Sequence, residues 1–313
     1  MKTIVEKDLP FIKRFWTYLS ERFALLPHVL MISAFTFSAA SYSRISRGSE
    51  DIIPWAFLVT GIITSFCFFL LLRIFDEFKD FDKDSIYQSY RPVPRGLISL
   101  KELKWVAIVI ITLQIILNAI IMPVMLIAYA LVMIYMAVMT KEFFLKDWIL
   151  KHPVIYMITH MLIMPLIDFY TTGLDWINAD SSPSKGLIFF LLVTFLNGIV
   201  IEIGRKIRAP ECEETGVETY SFLWGYKKAT VIWLIVITAT FIAALFASHF
   251  AGFGLVGVFV LLAFLLICTL PALVFLFKKT QISAQYIEYA AGLWTIAMYL
   301  TLGGVPMLVK LLL

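Results

Sequence analysis

Residues 73–96 read RIFDEFKDFDKDSIYQSYRPVPRG, directly after an apolar run that begins near residue 52. Asp76, Asp80 and Asp84 recur every four residues, with Glu77 and Asp82 between them. On an α-helix a step of four advances about 400°, so successive members drift only ~40° and share one face. Like charges on one face repel, and beside a membrane they are costlier still. A divalent metal or a polycation removes that cost. The stretch therefore reads as a metal-binding helix end at the mouth of a transmembrane span.

Outward from this stretch the chain is apolar. Hydrophobic residues make up 61% of its 313 positions, against ~45–50% in a soluble domain. Nine segments reach the ~20 apolar residues that a bilayer crossing needs: 24–43, 52–74, 103–121, 123–140, 153–172, 186–204, 229–249, 252–277 and 285–309. The expected fold is all-α, a single polytopic bundle over 1–313 with about nine transmembrane helices around a central cavity. Tight turns at Met122-Pro123 and Ala251-Gly252 separate two of the helix pairs.

The positive-inside rule sets the expected orientation. With the N-terminus inside, every Lys and Arg except Arg44, Arg47, Lys185 and Lys310 falls on cytoplasmic segments. The C-terminus is then outside, and the net charge of +4 is a topology signal with no bearing on nucleic acid. Residues 1–23 are mixed in charge and lack the apolar core of a cleavable leader. FIKRFWTYLSERF (11–23) reads as an interfacial helix, with Phe11, Phe15, Trp16, Tyr18 and Leu19 available to lipid. Cys67, Cys212 and Cys268 have no metal-ligand spacing.

The two long charged connections, 76–102 and 205–228, lie on the same cytoplasmic face. In the second, Glu202 ends the sixth span, Arg205, Lys206 and Arg208 follow, and Glu211, Glu213, Glu214 and Glu218 come next. Pro210 and Gly216 interrupt any continuous helix there. Carboxylates are hard ligands suited to Mg²⁺, which is often completed by substrate phosphates. Arginine and lysine neutralise the rest of a polyphosphate. A diphosphate held this way is a good leaving group, and an allylic one leaves a carbocation that an aromatic pocket stabilises.

The spacing Asp76-Glu77-x-x-Asp80-x-x-x-Asp84, followed by Arg91-Pro92-Val93-Pro94-Arg95-Gly96, closely resembles the UbiA superfamily of intramembrane prenyltransferases. That family's first motif is Asn-Asp-x-x-Asp-x-x-x-Asp with Arg-Pro-Ile-Pro-Ser-Gly at the same distance, and the resemblance extends over essentially the whole chain. It implies that Glu77, Asp80 and Asp84 bind Mg²⁺ and the diphosphate of a prenyl donor, with Asp76 at the position of the usual Asn. Asp82 lies outside the pattern and is read as solvated. The second motif departs from Asp-x-x-Asp-x-x-Gly-Asp followed by Gly-x-x-Thr. Gly216 and Thr219 match its end, Glu202 stands for the first Asp only with an insertion, and Arg205 falls where the next Asp is expected. Glu211, Glu213 and Glu214 are the nearest replacements as metal ligands.

Candidate diphosphate-binding groups are Arg73, Arg91, Arg95, Lys141, Arg205, Lys206 and Arg208, although several also serve as membrane anchors or ion-pair partners. Arg73 is expected to pair with Asp76 or Glu77. Polar residues inside spans are functional candidates because burying them is costly. Asn197 precedes Glu202 on the same helix and is placed in the substrate pocket, as is His160 in the fifth span. Asp168 is nearer the outer end and is expected to face water, and Gln114 and Asn118 are expected to join helices. The reading is a Mg²⁺-dependent prenyltransferase that uses a prenyl diphosphate donor and an aromatic or lipid acceptor. An intramembrane terpene cyclase of the same superfamily is the alternative. A transporter would need charges deep in several helices, whereas here they gather at one surface.

Overall fold

The structure, a computed structural model, describes residues 8–49, 51–214 and 216–312. It opens with α1 (Phe11–Arg22), an amphipathic helix after Pro10. Phe11 and Trp16 face outward. Tyr18 and Leu19 do not, contrary to the sequence expectation, and both are buried against the bundle. Tyr18 lies about 200° round the helix from Trp16 and so falls on its inner face.

The next elements are α2 (Leu25–Ser46) and α3 (Trp55–Tyr87). At 33 residues and 1.5 Å per residue, α3 is about 50 Å long, well beyond a hydrocarbon core of ~30 Å. Its last three turns, which carry Asp76 to Asp84, therefore project past the apolar part. A capping box of Ser99 and Glu102 starts α4 (Leu100–Ile121). Glu102 also pairs with Arg14 of α1 at 2.6 Å, fastening α1 beside the loop that follows α3.

After the turn at Met122-Pro123 come α5 (Leu126–Thr140) and the short α6 (Lys146–Leu150). The fifth crossing is made of α7 (Pro153–Met161) and α8 (Ile163–Trp176), broken at Leu162. Pro165 has no N–H to give to the Met161 carbonyl, which accounts for the break. The second half comprises α9 (Leu187–Gly204), α10 (Tyr220–Trp224), α11 (Tyr226–Ala251), α12 (Gly254–Lys278), α13 (Gln281–Tyr299) and α14 (Val305–Leu312). A π-helical turn, Leu300–Gly304, joins α13 to α14. There α2 packs so closely that a Cβ on Gly303 would run into the Ser38 carbonyl oxygen.

Among the described residues nine helical segments are long and apolar enough to cross a bilayer. One apolar core, around Phe68, Leu71 and Tyr170, joins α3, α4, α5 and α8. The other, around Phe190, Trp233 and Trp294, joins α9, α11, α12 and α13, and α2 contributes to each. Large side chains on α4 and α12, such as Val109, Ile120, Phe259 and Phe277, point outward, as lipid contact requires.

Polar pairs lock these helices. Gln114 donates to the Thr64 carbonyl and Asn118 to the Thr64 hydroxyl, while Tyr170 donates to Asn118, so this pair does join helices. Asp168 does not face water: it is buried and accepts a hydrogen bond from Tyr299 of α13. It lines a narrow crevice with Thr36, Ser65 and the rings of Phe35, Phe69 and Tyr299. At the end of the bundle opposite the acidic motif, buried Asp175 takes ion pairs from Arg44 at 3.1 Å and Arg47 at 2.8 Å.

Candidate active site

The projecting turns of α3 distribute the first motif over two faces. Glu77 turns inward, where Arg22 of α1 donates to it at 2.7 Å and Arg73 lies at 3.4 Å. Asp84 is buried and bound by Arg91 at 2.5 Å, so the Arg91-Pro92-Val93-Pro94 turn folds back on the helix it follows. Asp76 is half-exposed, with Arg73 and Lys79 each 4.0 Å away. Among the described residues Asp80 has no hydrogen-bond or ion-pair partner, and it lies within electrostatic reach of Asp76, Asp84, Lys79 and Arg73. Asp82 is exposed, as expected.

The second charged loop folds over the same end. Gly216 has φ +80° and sits against the Tyr87 ring with no room for a Cβ, and Lys83 lies 3.7 Å from Glu218. Glu202, at the end of α9, is buried and held by Arg205 at 2.5 Å and Lys206 at 2.6 Å. Arg205 feels the charge of Asp76 across the site. The phenol of Tyr220, which starts α10, is driven well above its ordinary pKa by burial and then by Glu202. Lys206 lies over its ring at 5.6 Å.

The remaining glutamates of this loop have other partners. Glu213 accepts from the hydroxyls of Thr219 at 2.6 Å and Ser221 at 2.7 Å. Glu214 pairs with Arg208 at 2.7 Å, and Glu211 is exposed. Arg95 pairs with Glu21 of α1 at 2.7 Å. Lys141 is exposed, while its neighbour Glu142 is buried. Asn197 is buried with neither end of its amide hydrogen-bonded.

A second buried polar group adjoins the acidic face. Lys79 donates to the Tyr156 hydroxyl at 2.9 Å and lies 3.4 Å from Glu142. His160 stacks on the Tyr156 ring at 3.8 Å and brings Nε2 to 3.2 Å from Glu142. Burial pushes the Glu142 carboxyl up, but His160 and Lys79 together outweigh it and hold the group below its ordinary range. Glu142 and Tyr156 are absent from the sequence candidates. Lys79 was legible as the flank of the acidic face, at about −60° from Asp76 on the helical wheel.

Among the described residues no three His, Cys, Asp or Glu side chains form a ready metal cage. Mg²⁺ needs none: it keeps several waters and commonly takes one or two carboxylates plus substrate phosphates. Asp80, without a hydrogen-bond or ion-pair partner among the described residues, beside Asp76, whose cationic neighbours are 4.0 Å off, provides such a donor set. The residues fit the ion.

An all-α membrane bundle with acidic and basic loops converging at one end defines the class of protein. The chain belongs to the UbiA prenyltransferase family, whose profile matches residues 33–296. A solved structure concerned with digeranylgeranylglyceryl phosphate synthase is similar in fold, with a TM-score of 0.61 and 15% identity over 96% of this chain and 100% of that one. No curated protein matches the chain in sequence.

Proposed function

We propose that the protein moves an isoprenoid group from a prenyl diphosphate to an aromatic or lipid acceptor within the membrane, in the presence of Mg²⁺. One observation carries this reading. On the turns of α3 that project beyond the apolar bundle, Asp80 has no ion-pair partner among the described residues, and the second loop brings Arg205 within electrostatic reach of Asp76 beside it.

Asp76, Asp80 and Asp84 would hold Mg²⁺, with Glu77 fixing the helix that bears them. When bound, the ion neutralises the departing diphosphate. Arg91, Arg205 and Lys206 turn their charge to phosphate oxygens, and Glu202 orients the last two. The apolar bundle takes the isoprenoid, and aromatic faces such as Phe35 and Phe69 shelter an allylic cation from water. The excess of Lys and Arg on one side supports a cytoplasmic site and N-terminus, with the C-terminus opposite.

A terpene cyclase is the second reading, and Glu202 favours it. This carboxylate of the second motif is already engaged by Arg205 and Lys206. Purified protein given Mg²⁺ and farnesyl or geranylgeranyl diphosphate separates the two. A transferase releases little diphosphate until an acceptor extract is added, whereas a cyclase gives a cyclic hydrocarbon or alcohol without one. Asp80→Ala is expected to cut diphosphate release by about 100-fold or more. If Asp80→Ala and Asp84→Ala both release diphosphate at the parent rate, the reading is wrong.

A further inference from the structure

Three consecutive non-glycine residues, Glu142, Phe143 and Phe144, have φ of +48°, +53° and +59°. Left-handed backbone of this kind costs roughly 1–2 kcal/mol per residue and persists only where the surroundings impose it. Its result here is specific. Lys141 is left in solvent, and Glu142 turns into the protein, where its side chain is 5% exposed and faces Lys79 and His160.

Lys79 carries three N–H donors, and its side chain is only 11% exposed. Among the described residues it makes one hydrogen bond, to Tyr156, and an ion pair with Glu142 at 3.4 Å, while Asp76 stays 4.0 Å away. With Tyr156 and Glu142 on two sides, the third donor of this largely buried ammonium has no close acceptor among the described residues and opens toward the acidic face. Nε2 of His160 and Oε2 of Glu142 face each other at 3.2 Å, so this carboxylate is already shared with the imidazole. Buried polar groups left short of partners point to a missing ligand or water. An ammonium short of acceptors, one residue from Asp80, calls for an oxyanion.

We propose that Lys79, and not Lys141, is the ammonium that takes phosphate oxygens of the donor, and that Glu142 is its positioning residue. This assignment rests on the prenyl diphosphate reading above. Without Glu142 the ammonium is free to swing the 4.0 Å to Asp76 and neutralise a carboxylate needed for Mg²⁺. The left-handed turn prevents this by offering Lys79 a competing carboxylate on the other side. Tyr156 fixes the Nζ atom from a third direction, and His160, stacked on Tyr156, steadies the ring.

The test is binding of inorganic diphosphate with Mg²⁺ to the full chain in detergent, by calorimetry. Lys79→Met is expected to raise Kd by about tenfold or more, as befits a charge-assisted hydrogen bond, and Lys79→Arg to recover part of the loss. Glu142→Gln, nearly isosteric, raises Kd severalfold, whereas Glu142→Asp raises it less. Lys101→Met, exposed at the start of α4, leaves Kd within twofold. A merely structural role for Lys79 would lower the melting temperature without changing Kd. If Lys79→Met unfolds, the Glu142→Gln value decides. Unchanged Kd in folded Lys79→Met or in Glu142→Gln, or a larger rise for Lys141→Ala than for Lys79→Met, overturns the assignment. Failure of the parent protein to bind Mg²⁺-diphosphate at all would instead overturn the function on which it rests.

Discussion

Glu77 accepts a hydrogen bond from Nε of Arg22 at 2.7 Å, joining the acidic motif of α3 to the amphipathic helix α1. The carboxylate is 1% exposed and the guanidinium 13%. Removing one member of such a pair strands the other without its main counter-charge, which typically costs about 3–5 kcal/mol. Arg73, at 3.4 Å, recovers part of this. Arg22→Ala is therefore expected to lower the melting temperature of the detergent-solubilised protein by several degrees, followed by tryptophan fluorescence. Because α1 would loosen from α3, cleavage near residue 22 by added protease should rise in step. An Arg22→Ala protein with parent stability would show that α1 is not held by this pair.

Asp175 plays the corresponding part at the opposite end, where Arg44 and Arg47 converge on it and Ser43 donates at 2.8 Å. Asp175→Ala leaves two guanidinium groups facing each other and should destabilise by a similar ~3–5 kcal/mol. Its separation from Asp80, at the far end of the bundle, predicts a different signature from any change in the acidic motif. Melting temperature falls while KM for the donor stays within about twofold, a range of less than ~0.5 kcal/mol. A KM change as large as that of Arg91→Ala would show that the two ends are coupled.

The spans were legible because hydropathy reports lipid contact directly, and the acidic face of α3 was legible because an i, i+4 repeat fixes one side of a helix. Side-chain partners were less so. Glu77 belongs to the motif by spacing, yet its ion pair with Arg22 spans 55 positions of sequence, and no local pattern announces it. Glu142 was hidden for another reason: a left-handed turn normally advertises itself through Gly or Asn, and Glu-Phe-Phe carries no such mark. The break at Leu162 could have been anticipated from Pro165. Asp168 was misread because distance along the span was taken for distance from water, whereas Tyr299 of α13 covers it. The second motif was recognised as irregular from Arg205, and Glu213 and Glu214 find hydroxyl and arginine partners within the loop.

Removal of divalent metal should act on the acidic face selectively. With Asp76, Asp80 and Asp84 as oxygen donors, treatment with EDTA is expected to abolish diphosphate release, and added Mg²⁺ to restore it, because each carboxylate must meet the donor's negative charge through a cation. Thermal stability should change little, since Glu77 and Asp84 are already neutralised by Arg22 and Arg91. Metal-free protein that retained full turnover would remove Mg²⁺ from the proposed function.

The tie between α1 and the loop after α3 should respond to acid. Arg95 donates to Glu21, and this hydrogen bond, more than the burial that opposes it, holds the Glu21 carboxyl below its ordinary range. A carboxyl with a depressed folded-state pKa contributes stability that is fully present above its unfolded value of ~4.3 and is lost as pH falls through the folded value. The pair is partly exposed, with the Glu21 side chain at 40%, so water screens it and its contribution to global stability is small. The effect should therefore appear locally. Amide hydrogen exchange at residues 90–97, corrected for intrinsic pH dependence, is expected to stay slow from neutral pH down to about 4.3 and to quicken below it. Glu21→Gln should show the quicker exchange at every pH, and an identical profile in parent and variant would exclude Glu21 as the tether.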